Sequence, residues 1–183
     1  MAEILHALHF EIERSACVML REPCPVEDPV WEDGYLLRTL VFNRDEDDYC
    51  YVRNLGFANL KGSDTPLAPS EVSRLEAGDD YIPGGILLLY HKGEPVGVVR
   101  ASRDVYNEEA VVSFGPLALV PSQRGLGLGR KLLRAALVVA RQAGFSTAIL
   151  SANLDNESAV RLYASEGFKT VEEVVCYTYR IAG

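Results

Sequence analysis

Two spacings of apolar residues share this chain. Runs rich in β-branched, aromatic and leucine residues recur at positions 10–22, 34–42, 84–102, 110–121, 146–154 and 168–181, and each predicts strand. The run at 84–102 carries "HKGEP" in its middle and reads as a hairpin. The run at 110–121 contains Gly115-Pro116, which breaks a hydrogen-bond ladder and predicts a bulge or bend. Between these runs the period lengthens. Tyr49, Val52, Leu55 and Ala58 follow a cluster of acids at helical spacing, and Leu132, Leu133, Ala136, Leu137 and Ala140 form one apolar stripe that Gly144 ends. Short helices are expected at 2–8, at 69–78 with Ser70 as cap and Gly78 as stop, and at 155–167 capped by Asp155 or Asn156. The fold class expected is therefore α/β: a mixed sheet with helices on both faces.

Residues 1–33, with their proline-rich connector, read as an N-terminal arm, and residues 34–183 as one domain. The arm's "HFEIERSACVMLRE" echoes "GFKTVEEVVCYTYR" near the other end, either as a relic of duplication or as two strands of like pattern. The cysteines (Cys17, Cys24, Cys50, Cys176) form no C-x-x-C pair, so reduced thiols and no metal are expected. No run is long enough to span a bilayer, and the start lacks a cationic leader, so a cytoplasmic protein with no membrane partner is expected. A net charge of −8 argues against nucleic acid as a partner. That average conceals a local reversal. Positions 110–154 contain no Asp or Glu but hold Arg124, Arg130, Lys131, Arg134 and Arg141.

At the centre of this window stands "SQRGLGLGRKLL". A strand, a loop of alternating glycines and then a helix present free N–H groups to an anion, with no Cβ in the way. The helix dipole adds only ~0.3–1 kcal/mol, so Arg124 or Arg130 is expected to add charge-assisted bonds to a pyrophosphate. A Walker loop is excluded because G-K-[ST] is missing, and the G-x-G-x-x-G dinucleotide spacing also fails, leaving an NAD-linked reading remote. "RGLGLG" instead satisfies R-x-x-G-x-G and resembles the acyl-CoA pyrophosphate loop of the GCN5-related N-acetyltransferase (GNAT) superfamily. "NESAVRLYASEGF" is similar to that superfamily's N-x-x-A-x-x-L-Y-x-x-x-G-F segment, at the expected distance downstream. "WEDGYLLRTL" and "VVCYTYR" are most similar to mycothiol synthase-type members.

The resemblance implies the GNAT fold, a central twisted and mostly antiparallel sheet. It also implies direct transfer of an acetyl group from acetyl-CoA to a small-molecule or peptide amine. The cofactor-binding residues it implies are Leu119, Val120, Arg124, Gly125, Leu126, Gly127, Leu128, Gly129, Arg130, Asn156 and Ala159. Leu119 and Val120 correspond to the strand edge that pairs with the pantetheine arm, where this strand and "AILSANL" diverge. Asn156, Ala159 and Tyr163 share one helical face. Tyr163 is the implied acid at the thioester sulfur, and Asn156 joins it in catalysis or serves as an N-cap. Many members carry a glutamate base where this chain has Gly115, so the base is left to Glu108, Glu109, His91 or a water held by Ser113. The alternative is a silent acyl-CoA-binding module. The acidic stretches at 44–48 and 76–80 suggest a cationic acceptor, and members of the superfamily often form homodimers.

Overall fold

The structure, a computed structural model, describes residues 2–22, 25–62 and 65–179. The strands are β1 (Glu11–Arg21), β2 (Tyr35–Thr39), β3 (Tyr81–His91), β4 (Glu94–Tyr106), β5 (Glu109–Leu119), β6 (Ala148–Asn153) and β7 (Lys169–Thr178). The helices are α1 (Ala2–Ala7), α2 (Glu46–Phe57), α3 (Pro69–Val72), α4 (Leu128–Gln142) and α5 (Glu157–Ser165). One sheet runs in the order β2-β3-β4-β5-β6-β1-β7. Neighbours are antiparallel except β5 and β6, which are parallel.

The two faces of this sheet can be told apart at β4 and β5. Gly97 lies opposite Leu119 and Val98 opposite Ala118, so these successive pairs look to opposite sides. A Cβ at Gly97 would stand 2.9 Å from Leu132 Cδ1 of α4, whereas one at Gly56 of α2 would stand 2.8 Å from the Ala118 Cβ. Helix α4 therefore covers one face and α2 the other. The anticipated stripe of α4 is its buried edge, with Leu132, Leu133 and Ala136 fully enclosed. Gly144 closes the helix at φ +89°, donating its N–H to the Arg141 carbonyl.

Local turn chemistry sets the registers. The β3–β4 link at Lys92-Gly93 and the β4–β5 link at Asn107-Glu108 both place two residues at positive φ, as type I′ turns require. At Gly115-Pro116 the expected irregularity is a β-bulge. Val99 pairs with Leu117 and Ala101 with Phe114, so two residues of β5 stand against Arg100 alone.

Two expectations need correction. The first strand does not hang from the sheet as an arm. It lies inside, with Ala16–Arg21 on β6 and Glu11–Leu20 on β7. Ala148 and Ile149 pair with β5 on one edge of β6 and with β1 on the other, so β1 satisfies the backbone groups of β6 that point away from β5. Cys17 and Met19 of β1 are core residues, so residues 1–33 and 34–183 share one sheet. The echoing strands β1 and β7 are neighbours but sit differently: the second half of β1 alternates into the core, whereas β7 is largely exposed. Ser70 is not a cap either. Pro69 takes the first helical position, and the Glu71 carboxylate accepts the Ala68 N–H at 2.9 Å. Cys24 and the end of the run predicted to reach residue 181 lie outside the described residues.

If α4 anchors the sheet through this stripe, Leu132→Ala should lower the unfolding free energy by about 2–5 kcal/mol with an unchanged urea m-value. A loss below about 1 kcal/mol on urea titration would show that the stripe is dispensable.

Candidate functional site

The parallel pair of strands separates almost as soon as it forms. Val112 pairs with Ala148 and Ser113 with Ile149, and there the β5–β6 ladder ends. Strand β6 continues on β1 and β5 on β4, so a wedge opens between them. Val120 donates its N–H to the Val96 carbonyl at 3.0 Å, which makes 96/120 a hydrogen-bonded pair. By the alternation of antiparallel ladders, Leu119 and Leu117 turn their backbone groups away from β4, into the wedge.

A cavity of about 400 Å³ occupies this wedge. Leu117 and Leu119 line it from the sheet, Phe57 from α2, and Ala159 and Tyr163 from α5. The glycine loop closes one end. Gly125 and Gly127 sit at φ +78° and +76°, and a Cβ on either would meet nothing within 4 Å. Glycine is needed there for the backbone conformation, and the space above the loop is open. Gly127 is the N-cap of α4, its carbonyl accepting the Arg130 and Lys131 N–H groups at 3.1 and 3.3 Å. The N–H groups of Leu128 and Gly129 belong to the first turn and have no acceptor within their own helix. At Gly129 a Cβ would lie 3.4 Å from Leu162 of α5.

The acid-free window does not leave its cations unmatched. Glu166, whose side chain is 6% exposed, bonds Arg130 at 3.0 Å and Arg134 at 2.8 Å. Lys131 pairs with Glu32 at 2.6 Å, and Arg141 reaches the Val26 carbonyl. Two guanidinium groups thus share one carboxylate beside the loop, leaving it electropositive. Arg124 donates to the Gly56 carbonyl of α2 at 2.6 Å and has no carboxylate partner among the described residues.

Tyr163 is buried and lines the cavity. Among the described residues every fully buried side-chain polar atom has a partner, and the Tyr163 hydroxyl bonds to none of them. The hydroxyl therefore opens into the cavity. Burial pushes its pKa up to about 12. Asn156 does not line the cavity: its Oδ1 accepts the Ala159 N–H at 3.3 Å and the Ser158 hydroxyl at 3.0 Å, as a helix cap.

The other expected residues divide. Gly125, Gly127, Gly129, Arg124, Arg130, Leu119 and Ala159 meet at the cavity. Leu126 is exposed at the loop tip, while Leu128 turns into the core. Val120 is a correction. Its N–H is spent on Val96 and its carbonyl on Gln123, so Leu117 takes the place expected for it at the wedge. Sequence reasoning also missed Gly56 and Phe57. A glycine inside a helical pattern was the available signal, since only glycine lets α2 approach Ala118 and the Leu119 carbonyl so closely.

No candidate base reaches the cavity. Glu108 and Glu109 sit at the β4–β5 turn, roughly 26 Å along β5 from Leu117 at ~3.3 Å per residue. His91 stacks on Tyr35 at 4.3 Å and lies 3.4 Å from the Gln123 amide, and Ser113 is held in the paired part of β5. Of the acids at 44–48, Asp45, Glu46 and Asp48 are engaged elsewhere. Burial opposes the Asp45 carboxylate, but bonds from Arg38, Arg44 and the Val41 N–H outweigh it and hold its pKa well below the usual range. Glu46 accepts the Asn43 N–H, Asp48 accepts the Tyr90 hydroxyl, and Asp80 pairs with Arg100.

A model of the acetyltransferase (GNAT) family matches residues 19–168. The chain belongs to that family. Among curated proteins it is similar to mycothiol acetyltransferases from Thermobispora bispora (32% identity over 79% of this chain and 50% of that protein) and Streptomyces griseus (28% over 85% and 50%). The chain thus spans about half the length of these curated relatives. A GNAT structure from Sphaerobacter thermophilus superposes with a TM-score of 0.78 at 20% identity, covering 96% of this chain and 54% of that one. An apo aminoglycoside 6′-N-acetyltransferase from Acinetobacter haemolyticus gives 0.61 at 22% identity, with 80% and 99% covered. These likenesses show the GNAT fold.

The raised Tyr163 pKa has a stability consequence. A phenol whose folded pKa exceeds its unfolded value contributes stability that is whole below pH 10 and fades as pH rises toward about 12. Denaturant titrations between pH 9 and pH 11.5 should show a shallower decline for Tyr163→Phe than for the parent. Parallel declines would mean that the phenol is not shielded.

Proposed function

We propose that this chain is an acetyl-CoA-dependent N-acetyltransferase acting by direct transfer to an amine. One observation carries the reading: the glycine loop and an open, protonated tyrosine line the same cavity, in the wedge where β5 leaves β6. The open cradle over Gly125 and Gly127, the two unpaired amides of the α4 first turn and the surplus of guanidinium over carboxylate fit a diphosphate. The outward backbone groups of Leu117 and Leu119 fit an extended amide-bearing arm, and Ala159 leaves room for it beside α5.

Acetyl-CoA, when bound, supplies an activated acyl carbon: the acceptor nitrogen forms a C–N bond to it, the C–S bond breaks, and a thiolate and one proton are released. The chain's own work is to position and to protonate. Tyr163 holds its proton at Oη throughout the neutral range and delivers it to the departing sulfur, then recovers one from solvent. Asn156 acts by fixing the start of α5, which aims Tyr163. Water takes the acceptor's proton, because the cavity lining holds no carboxylate or imidazole among the described residues. Alignment of the two reactants accounts for much of the rate, up to ~7–11 kcal/mol.

A silent acyl-CoA-binding module would need the loop but not an accessible phenol, and the placement of Tyr163 favours transfer. The acceptor of the mycothiol acetyltransferases is not carried over, since the chain spans about half of those proteins.

Thiol release measured with an amine panel should show Tyr163→Phe lowering kcat by ~10²-fold or more while the acetyl-CoA Kd stays within about twofold. Gly127→Val, forced to a positive φ, should instead weaken acetyl-CoA binding by about tenfold or more in calorimetry. Full activity in Tyr163→Phe would remove the assigned acid, and an unchanged Kd in Gly127→Val would remove the loop from binding.

A further inference from the structure

A second pocket adjoins the first. Its volume is about 550 Å³, and Phe57 lines both, with Pro116 of the bulge directly preceding Leu117 of the first cavity's sheet wall. On the transferase reading, which this inference rests on, this is the side from which an acceptor meets the acyl carbon. Its polar lining is almost entirely donors: Tyr49, Arg53, Arg74 and Arg100, against the single carboxylate of Glu71.

The engagement of each group decides what they could hold. Arg100 is paired with Asp80 at 2.5 Å and is electrostatically matched. Arg53 lies over the Phe57 ring, 5.6 Å from its centroid, and spends one nitrogen on the Thr65 carbonyl and Asn54 Oδ1, both neutral. The Arg74 side chain makes no hydrogen bond or ion pair with a described residue. Glu71 already accepts the Ala68 N–H. Tyr49 is 1% exposed, yet its hydroxyl has no partner among the described residues; since no fully buried polar atom there is unpartnered, it too opens into the pocket. Two guanidinium groups and a buried hydroxyl thus face a common space whose one carboxylate among the described lining residues, Glu71, pairs with neither of them.

We propose that this pocket selects an acceptor amine that also bears a carboxylate, gripped by Arg53 and Arg74 with Tyr49 beneath it. A planar fork of N–H donors matches a carboxylate in two bonds at once, which a point cation cannot do. With that end fixed, the amine projects past Phe57 and Pro116 toward Leu117. The acidic stretches of the sequence had suggested the opposite charge. Asp45, Asp48 and Asp80 of those stretches are bound by Arg38, Arg44, Tyr90 and Arg100, and none of the acids at 44–48 or 76–80 lines this pocket.

Matched acceptors test this: glycine, β-alanine and 4-aminobutyrate, each beside its carboxamide, with phosphoethanolamine as a third class. The carboxylates should exceed their amides in kcat/KM by about tenfold or more, chiefly through KM. Arg74→Gln and Arg53→Gln should each reduce that preference to within about twofold and leave the acetyl-CoA Kd unchanged, with Arg74→Lys restoring only part of it. Equal use of amides, a preference untouched by both substitutions, or a stronger preference for phosphoethanolamine would overturn the assignment. Thermal shift with each acceptor alone, without acetyl-CoA, separates this from the transferase reading. A carboxylate-specific shift in a protein that does not bind acetyl-CoA keeps the pocket and removes the reaction. Normal acetyl-CoA titration without that shift does the reverse.

Discussion

The parting of β5 from β6 after Ser113 and Ile149 is the constraint on which the remaining architecture depends. Two parallel strands that stay paired would satisfy each other's backbone groups and leave no room for a ligand. Separated, they expose Leu117 and Leu119 as an unpaired edge, a cost that a bound chain can offset by completing the ladder. The separation is sustained from both sides. Strand β1 takes up the other edge of β6, and the bulge at Gly115-Pro116 redirects β5 just past its last pairing with β6 at Ser113.

Around that wedge the helices are held by a few specific contacts. Glu166 ties α5 to α4 through Arg130 and Arg134, and Arg21 of β1 donates to the Glu166 carbonyl. Gly56 lets α2 settle on Ala118, which brings Phe57 to the boundary between the two pockets. Helix α2 therefore contributes at both ends: acids bound to Arg38 and Tyr90 at its start, and the divider between the two pockets at its end.

What the sequence disclosed was local. The glycine loop, the cap at Asn156, the stripe of α4 and the irregularity at Gly115-Pro116 each follow from neighbouring residues and backbone geometry, and each stands where it was expected. What it hid depended on distance. The position of β1 inside the sheet is decided by the vacant edge of β6, more than 120 residues away in sequence. The placement of charge depends on distance too. The acids at 44–48 were visible, but not that Asp45 would pair with Arg38 and Asp48 with Tyr90, and Arg53, Arg74 and Arg100 converge only once α2, the segment after α3 and β4 are assembled. Val120 was misassigned because ladder alternation fixes which of two adjacent residues faces the wedge, and the register is not written in either one.

Backbone amide chemical shifts address the central claim most directly. Addition of coenzyme A should produce large downfield changes at Gly125, Gly127, Leu128 and Gly129, with further changes at Leu117 and Leu119 along the wedge. Changes confined to another face of the sheet, or none at the glycine loop at saturating ligand, would contradict it.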